Sequence, residues 1–459
     1  MAESNRRLAF NAGQIVVFGF LVGNVIGTLL LMLPISVNEP GSTNLMTASF
    51  TSVSALSLTG LGVVDTAVYW SGFGQFVIMA LVQIGGFGIM AIGSMLVLFI
   101  TQKVSFRTKL TSTAEQKALG LDDFRHLLVR LFQISFAVEA LLALVLGIHF
   151  WLHYNIELPA ALWHGLFHSV AAFNNAGFSN FEGGLIRFAA DPIVLHSIAI
   201  TSIIGGLGFP VLIEVTRRLF RRLRIASFRA SEIGNRLSLN SRIVLQFTVA
   251  LLVLGAVFTA AIEWNNPKTL GTLSIWDKLH NAWFASAMAR TTGFASLDYG
   301  KFNEESLLIT DILMFIGGGS AGTSGGLRIT TFAVLIFVLI AEIRGYSRVN
   351  AGNRRLGVSV QRTAVALTTL SIIWVGGMVV AMQLITDFST DQILFEVLSA
   401  FGTCGLSTGI TPLLPEPAKI LLMVMMFTGR IGLVLVATAL AGKAQPLTYK
   451  LPKERPLIG

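Results

Sequence analysis

Four glycines, Gly60, Gly177, Gly293 and Gly405, each stand ten positions after an aromatic residue: Phe50, Phe167, Trp283 and Phe395. The stretch between is rich in small and apolar residues, and Leu or Phe follows each glycine (Leu61, Phe178, Phe294, Leu406). The glycines are 117, 116 and 112 residues apart (60 to 177, 177 to 293, 293 to 405), a period that marks one structural unit used four times. The chemistry on offer is that of the main chain. Glycine reaches backbone conformations that cost other residues steric energy, so a short loop around it can turn its carbonyl oxygens toward an axis. Four such loops close a ring of oxygens, and such a ring replaces the water shell of a cation. The carbonyl-bearing tetrapeptides are Leu58-Thr59-Gly60-Leu61, Asn175-Ala176-Gly177-Phe178, Thr291-Thr292-Gly293-Phe294 and Thr403-Cys404-Gly405-Leu406.

Loops of this kind need a frame, and the composition says that it lies in lipid. The 459 residues are 53% hydrophobic and 12% charged, with mean hydropathy +0.72, whereas soluble domains carry about 25% charged residues. Long apolar runs lie at Gly13–Pro34, Gln75–Thr101, Leu127–Leu152, Pro192–Val215, Ile243–Trp264, Leu307–Ala341, Ala364–Ile385 and Ala418–Ala441. About 20 apolar residues cross a bilayer, so the expectation is an all-α membrane protein of eight spanning helices. The first run, with no small-residue cleavage site behind it, reads as a membrane helix rather than a signal peptide. Four pore segments, near 45–59, 160–176, 276–292 and 391–404, are too short to cross. Helix-start residues precede the first (Ser42-Thr43-Asn44) and the fourth (Ser389-Thr390-Asp391). The units expected are 1–110, 111–230, 231–350 and 351–459, in pseudo-fourfold arrangement.

Charge placement gives the orientation. Of 33 Lys and Arg, 25 fall in Arg6–Arg7, Lys103–Arg130, Arg217–Arg242, Arg344–Arg362 and Lys443–Arg455. The positive-inside rule puts these stretches and both termini in the cytoplasm, and leaves the pore segments outside, where carboxylates outnumber bases and draw cations in. Basic loops of this sort meet lipid headgroups rather than nucleic acid. The stretch RRLFRRLRIASFR (217–229) suits the membrane surface or a partner. Trp70, Trp151, Trp163, Trp264 and Trp276 are placed at the outer interface as an aromatic belt.

A second set of glycines, Gly85, Gly205, Gly317 and Gly429, follows the first by 25, 28, 24 and 24 residues and weakens the second helix of each unit. In the third unit Gly317–Gly326 holds six glycines, two serines and a threonine. Irregular backbone at membrane depth is tolerated only inside protein or against water, so this segment is expected to line the pore and to move. A phosphate-binding loop fits poorly, since no Gly-Lys-Ser/Thr follows. Arg430 stands in MFTGRIGLVLV, where a charge faces a cavity or a partner; Glu214 is one candidate. Arg290 would tether the third pore segment to Asp298 or Asp311, and Arg328 would anchor the inner end of the glycine-rich segment. His164 and His168 have metal-ligand spacing on one helix face, but no further ligands lie near. Cys404, the sole cysteine, has no base placed beside it. No enzyme motif is present: there is no HExxH, CxxC pair or nucleophile elbow.

The four loops resemble a reduced form of the potassium-channel TVGYG filter, with one glycine each in place of two. Four joined helix–pore–helix units are similar to the Trk/Ktr/HKT superfamily of potassium transporters, and eight spans with short termini are most like its Ktr membrane subunits (KtrB). Leu or Phe replaces Tyr after the glycine, and Ala176 or Cys404 precedes it, which implies fewer ion sites than in the full filter. The resemblance implies that potassium is the transported ion, with sodium stimulation in some members. It makes Gly317, Gly318, Gly319, Ser320, Ala321, Gly322, Thr323, Ser324, Gly325 and Gly326 an intramembrane gate, and puts Arg430 just below the filter. It also implies a KtrB-like homodimer in a cell (inner) membrane. A cytosolic KtrA-like ring of RCK subunits would bind ATP or ADP, with no organic cofactor on this chain. Competing classes are a secondary transporter with a midplane site and a non-transporting assembly subunit.

Overall fold

The computed structural model describes residues 12–39, 41, 43–88, 121–222, 237–290 and 292–432. Thr291, Arg6–Arg7, most of 103–130, much of 217–229, the ends of the second and eighth apolar runs, and the Lys443–Gly459 segment lie outside them. The described helices are α1 (Ala12–Leu31), α2 (Leu45–Ser57), α3 (Gly72–Gly88), α4 (Leu121–Tyr154), α5 (Leu158–Phe173), α6 (Pro192–Gly206) and α7 (Phe209–Arg222). After them come α8 (Leu239–Glu263), α9 (Ile275–Ala289), α10 (Glu304–Phe315), α11 (Ile329–Ile343), α12 (Val358–Gln383), α13 (Thr390–Gly402) and α14 (Glu416–Ile431). A two-stranded ribbon, Asn350–Ala351 against Arg354–Arg355, joins α11 to α12.

Helix starts follow local chemistry. The Asn44 side chain accepts from Met46 N–H at the head of α2, and Ser274 does the same for Asp277 at α9. Proline opens α6 at its first position, where no N–H is needed. Asp191 before it accepts from Ile193 and Val194 N–H, and from His149 Nε2 and Tyr154 OH, both at 2.7 Å. Burial raises the Asp191 carboxyl, but the bonds from His149, Tyr154 and the main chain outweigh it and hold the group below its ordinary range. The expected start of the fourth pore segment is in place, though Ser389 makes no side-chain cap bond there.

Three described helices are long and apolar enough to cross a bilayer: Val129–Tyr154 within α4, Leu239–Glu263 and Val358–Gln383. Each turns large apolar side chains outward, such as Leu141, Leu144, Val253, Val257, Ile372 and Ile373. Such a surface is at home in lipid, not in water. The four short helices α2, α5, α9 and α13 are the most enclosed. Phe50, Phe167 and Phe395, the aromatic residues ten positions before three of the ring glycines, are buried. Helices α4 and α5 touch most closely where Gly165 lies on the Ala143 carbonyl and the Gly147 main chain, the close approach that small residues permit between membrane helices.

Two apolar runs are interrupted, the second of them at the glycine-rich segment where irregular backbone was expected. Pro192–Gly206 and Phe209–Leu219 meet at 110°, because Gly208 takes φ +90° and Pro210 follows it. The run 307–341 stops at Phe315 and resumes at Ile329, with the glycine-rich segment between. Gly85 and Gly429, by contrast, stay within regular helices, so weakening by glycine alone does not break them. Trp70 is not an interfacial residue: it is 0% exposed, paired through its backbone with Val37 and buried in a core cluster with Ala48, Leu81 and Phe167. Trp151 and Trp276 are exposed, as an interfacial belt requires.

Glycine-to-alanine changes should sort by packing. A Cβ on Gly165 would lie 2.5 Å from the Ala143 oxygen, whereas Gly376 and Gly377 on α12 face open space. Gly165→Ala is expected to lower the melting temperature of the detergent-purified protein. Gly376→Ala should hold or raise it, by up to about 1 kcal/mol of helix propensity. Equal melting temperatures for the two variants would show that α4 and α5 are not closely packed.

Candidate functional site

The four glycines at 60, 177, 293 and 405 come together, and they do so as a closed ring. Their φ angles are +87°, +65°, +73° and +95°, a region that side chains rarely occupy. A Cβ on Gly60 would run into the Ala176 carbonyl oxygen; on Gly177, into that of Thr292; on Gly293, that of Cys404; and on Gly405, that of Thr59. Each glycine therefore abuts the carbonyl of the residue that precedes the next glycine, and the fourth abuts the first.

The ends of the short helices build these segments. Leu58, Asn175 and Thr403, two residues before their glycines, take left-handed φ of 61°, 59° and 47°. This is the usual way to end a helix and send the chain off at an angle. The next residue folds back: Thr59 N–H reaches Ser54 O, Ala176 N–H reaches Ala171 O and Cys404 N–H reaches Ser399 O, all at 2.8 Å. In the third segment Thr292 and Gly293 N–H both reach Met288 O instead. The Cys404 thiol lies 3.2 Å from Met288 O, a packing contact on the neighbouring helix end.

The second glycine set has a role that spacing alone does not reveal. A Cβ on Gly85, Gly205 or Gly429 would strike the carbonyl oxygen of Leu56, Phe173 or Phe401, each four residues before a ring glycine. These glycines let the following helix lie directly on the last turn of the short one. Gly317 differs: it packs on Gly325 O of its own segment.

Side chains also brace two of the four loops. The Glu396 carboxylate, fully buried, accepts from Ser407 Oγ (2.6 Å), Thr408 N–H (3.0 Å), Thr408 Oγ1 (3.3 Å) and Thr411 Oγ1 (2.6 Å). His168 Nε2 pairs with Ser179 Oγ at 2.9 Å, and His164 Nδ1 with Asn180 Oδ1 at 3.0 Å. His168 and Glu396 hold the same place, directly after the aromatic residue, and both grip the residue two after the glycine. Thr51 and Phe284, at the matching places after Phe50 and Trp283, form no such tie to Gly62 and Ala295. The two histidines thus serve as loop braces. Glu396 went unnoticed in the sequence, although a carboxylate in FEVLSAF on a buried helix is a signal in itself.

The glycine-rich segment 317–326 lies against the ring. Thr323 Oγ1 donates to Asn175 Oδ1 and Asn175 Nδ2 donates to Thr292 Oγ1, both at 3.0 Å. Gly325 packs on the Thr403 side chain, and Gly326 N–H reaches Gly429 O at 3.3 Å. On its other side the segment interlocks with the break between α6 and α7. Gly319 N–H donates to Gly206 O (2.8 Å), Phe209 N–H donates to Ala321 O (3.3 Å), and Gly208 abuts Ser320 O. Two interrupted helices thus share one region.

Two buried arginines nearby, Arg430 and Arg290, lack the acids expected of them, and the half-buried Arg328 stands at the end of the segment. Arg430, 1% exposed, donates to Thr323 O and to Gly85 O, the latter at 3.3 Å. Glu214 instead caps α8 by accepting from Ser238 N–H, Ser238 Oγ and Ser241 Oγ, and pairs with Arg218. Arg290 donates to Thr248 O at 3.3 Å; Asp298 is paired with Lys301, and Asp311 makes no bond to Arg290. Arg328 Nη1 donates to Ser324 O, which holds the end of the segment as expected. Main-chain carbonyls stand in for the expected carboxylates at Arg430 and Arg290.

Comparison with known proteins agrees with this geometry. Residues 2–446 match the family model TrkH, described as cation transport protein. The chain is similar to the Ktr system potassium uptake protein B of Bacillus subtilis (strain 168), 36% identical over 92% of this chain and 91% of that one. It is 31% identical to the potassium/sodium uptake protein NtpJ of Enterococcus hirae, over 97% of each. The crystal structure of the potassium transporter TrkH from Vibrio parahaemolyticus superposes with a TM-score of 0.72. That match covers 96% of this chain and 87% of that one at 16% identity, which speaks for the fold alone. With several apolar helices and a family match along nearly its whole length, the chain is a multi-pass membrane protein that belongs to the TrkH family of cation transport proteins, a family of transporters rather than enzymes.

Proposed function

We propose that this chain is the potassium-translocating membrane subunit of a bacterial uptake system. The observation that carries the reading is the closed circuit of four positive-φ glycines, each lying on the next segment's carbonyl. Carbonyl oxygens held at an axis replace the hydration shell of a cation at little reorganisation cost, and bare charge cannot otherwise cross hydrocarbon. The tetrapeptides at 58–61, 175–178, 291–294 and 403–406 form the filter in four units, 1–110, 111–230, 231–350 and 351–459, with eight spanning helices. One glycine per loop leaves a shorter filter than two would, so selectivity is narrower in basis. The names of the relatives, potassium uptake and potassium/sodium uptake, support potassium as cargo and a sodium effect on uptake.

The segment 317–326 acts as the gate. It rests on Asn175 and Thr403 of the filter segments and is held by Arg430 and Arg328, so its displacement would clear the path below the ring. The arginine-rich stretches mark the cytoplasmic side, with both termini there. A homodimer served by a cytosolic nucleotide-binding ring would bring control by ATP or ADP to these basic surfaces. The two broken helices would also suit a transporter with a midplane site; the circuit of carbonyls favours the pore.

Two measurements in proteoliposomes test this. Gly405→Ser puts a side chain at φ +95° against Thr59 O and should cut rubidium flux about tenfold or more, with the protein still monodisperse. Unchanged flux and ion selectivity would remove the ring from the selection step. Arg430→Met strips donors from Thr323 O and Gly85 O and should raise basal flux by freeing the segment, as should a short deletion within 317–326. Zero flux in a well-folded deletion would make the segment a structural support instead.

A further inference from the structure

Behind the second and third ring segments lies a small cavity of about 20 Å³, lined by Asn175, Ser202, Gly206, Thr248, Arg290 and Thr292 among others. A single water needs roughly 10–15 Å³ by this measure, so the cavity holds one guest of water or halide size. Its polar groups are arranged to donate. Arg290 is 6% exposed and its Nε–H has no partner. Ser202, 1% exposed, likewise has an unpartnered Oγ. Thr292 Oγ1 already accepts from Asn175 Nδ2, which leaves its own proton to give. The carbonyls nearby are engaged: Thr248 O takes Arg290 Nη1, and Gly206 O takes Gly319 N–H.

The charge is equally one-sided. None of the ion pairs found among the described residues includes Arg290, and no carboxylate lines the cavity. A guanidinium shut away from water without a counter-charge is costly. A water would fill the space but leave that charge in place. A monovalent anion satisfies the donors and cancels the charge together.

We propose that this cavity is a binding site for one small monovalent anion, of which chloride is the abundant example, held by Arg290 Nε, Ser202 Oγ and Thr292 Oγ1. The site stands whether or not the ring conducts. Where it does, the anion offsets a fixed positive charge beside two of the four carbonyl segments, and so favours a cation there.

Bromide is the probe. The full-length protein crystallised in bromide should show one anomalous peak between Arg290 and Ser202. The melting temperature should rise saturably when chloride replaces gluconate at constant ionic strength. Ser202→Ala removes one donor to the ion and should shift the midpoint of that titration about tenfold to higher chloride; Arg290→Met should abolish the response. Should Arg290→Met fail to fold, the diffraction and the Ser202→Ala titration decide. A cavity holding water with no anomalous signal in bromide overturns the proposal. So does a Ser202→Ala titration that coincides with that of the unmodified protein.

Discussion

Two main chains can touch only where no Cβ stands between them, and this molecule rests on a set of such contacts. The ring closes because four glycines lie on four carbonyls. The short helices are held from behind because Gly85, Gly205 and Gly429 lie on three more. Glycine is expensive in a helix, by about 1 kcal/mol relative to alanine, and an αL residue such as Leu58 or Thr403 adds strain. These costs are offset by enclosure: the helices that end in the ring are the most buried of those described, and apolar packing around Phe50, Phe167 and Phe395 fixes their direction.

Much of this was legible in the sequence, for a definable reason. A repeated glycine leaves the same letter at a regular interval, and its near-constant spacing reveals both the number of loops and their equivalence. The family resemblance rested on the same positions and agrees with the family match. The partners of the buried arginines were not legible. Arg430 bonds carbonyls 107 and 345 positions away, and a main-chain acceptor carries no residue type to search for. Glu214 and Asp298 were reasonable partners by charge, but each is already engaged in ending or starting a local element. The sharp bend at Gly208 was half visible: Gly-Leu-Gly-Phe-Pro signals a break, but not that the break receives the glycine-rich segment of another unit.

The bracing of the loops has its own pattern. Glu396 and His168 grip the chain just past Gly405 and Gly177, while Thr51 and Phe284, at the matching places, make no such tie past Gly60 and Gly293. The two tied segments alternate with the other two around the circuit. The glycine-rich segment leans on both tied segments, through Asn175 and Thr403. These ties are therefore distributed with twofold rather than fourfold character, and the segment 317–326 lies between them.

Because one continuous chain supplies all four quarters of the circuit, each quarter is free to be different. An assembly of four identical subunits must accept any substitution four times over, so a bulky or charged residue near its axis appears as a full set. Here Arg430 stands where the other three quarters have Gly86, Gly206 and Gly318, and Glu396 stands where they have Thr51, His168 and Phe284. Equivalent positions are thus equivalent in shape and not in consequence, and a change at Gly293 is a different experiment from the same change at Gly60.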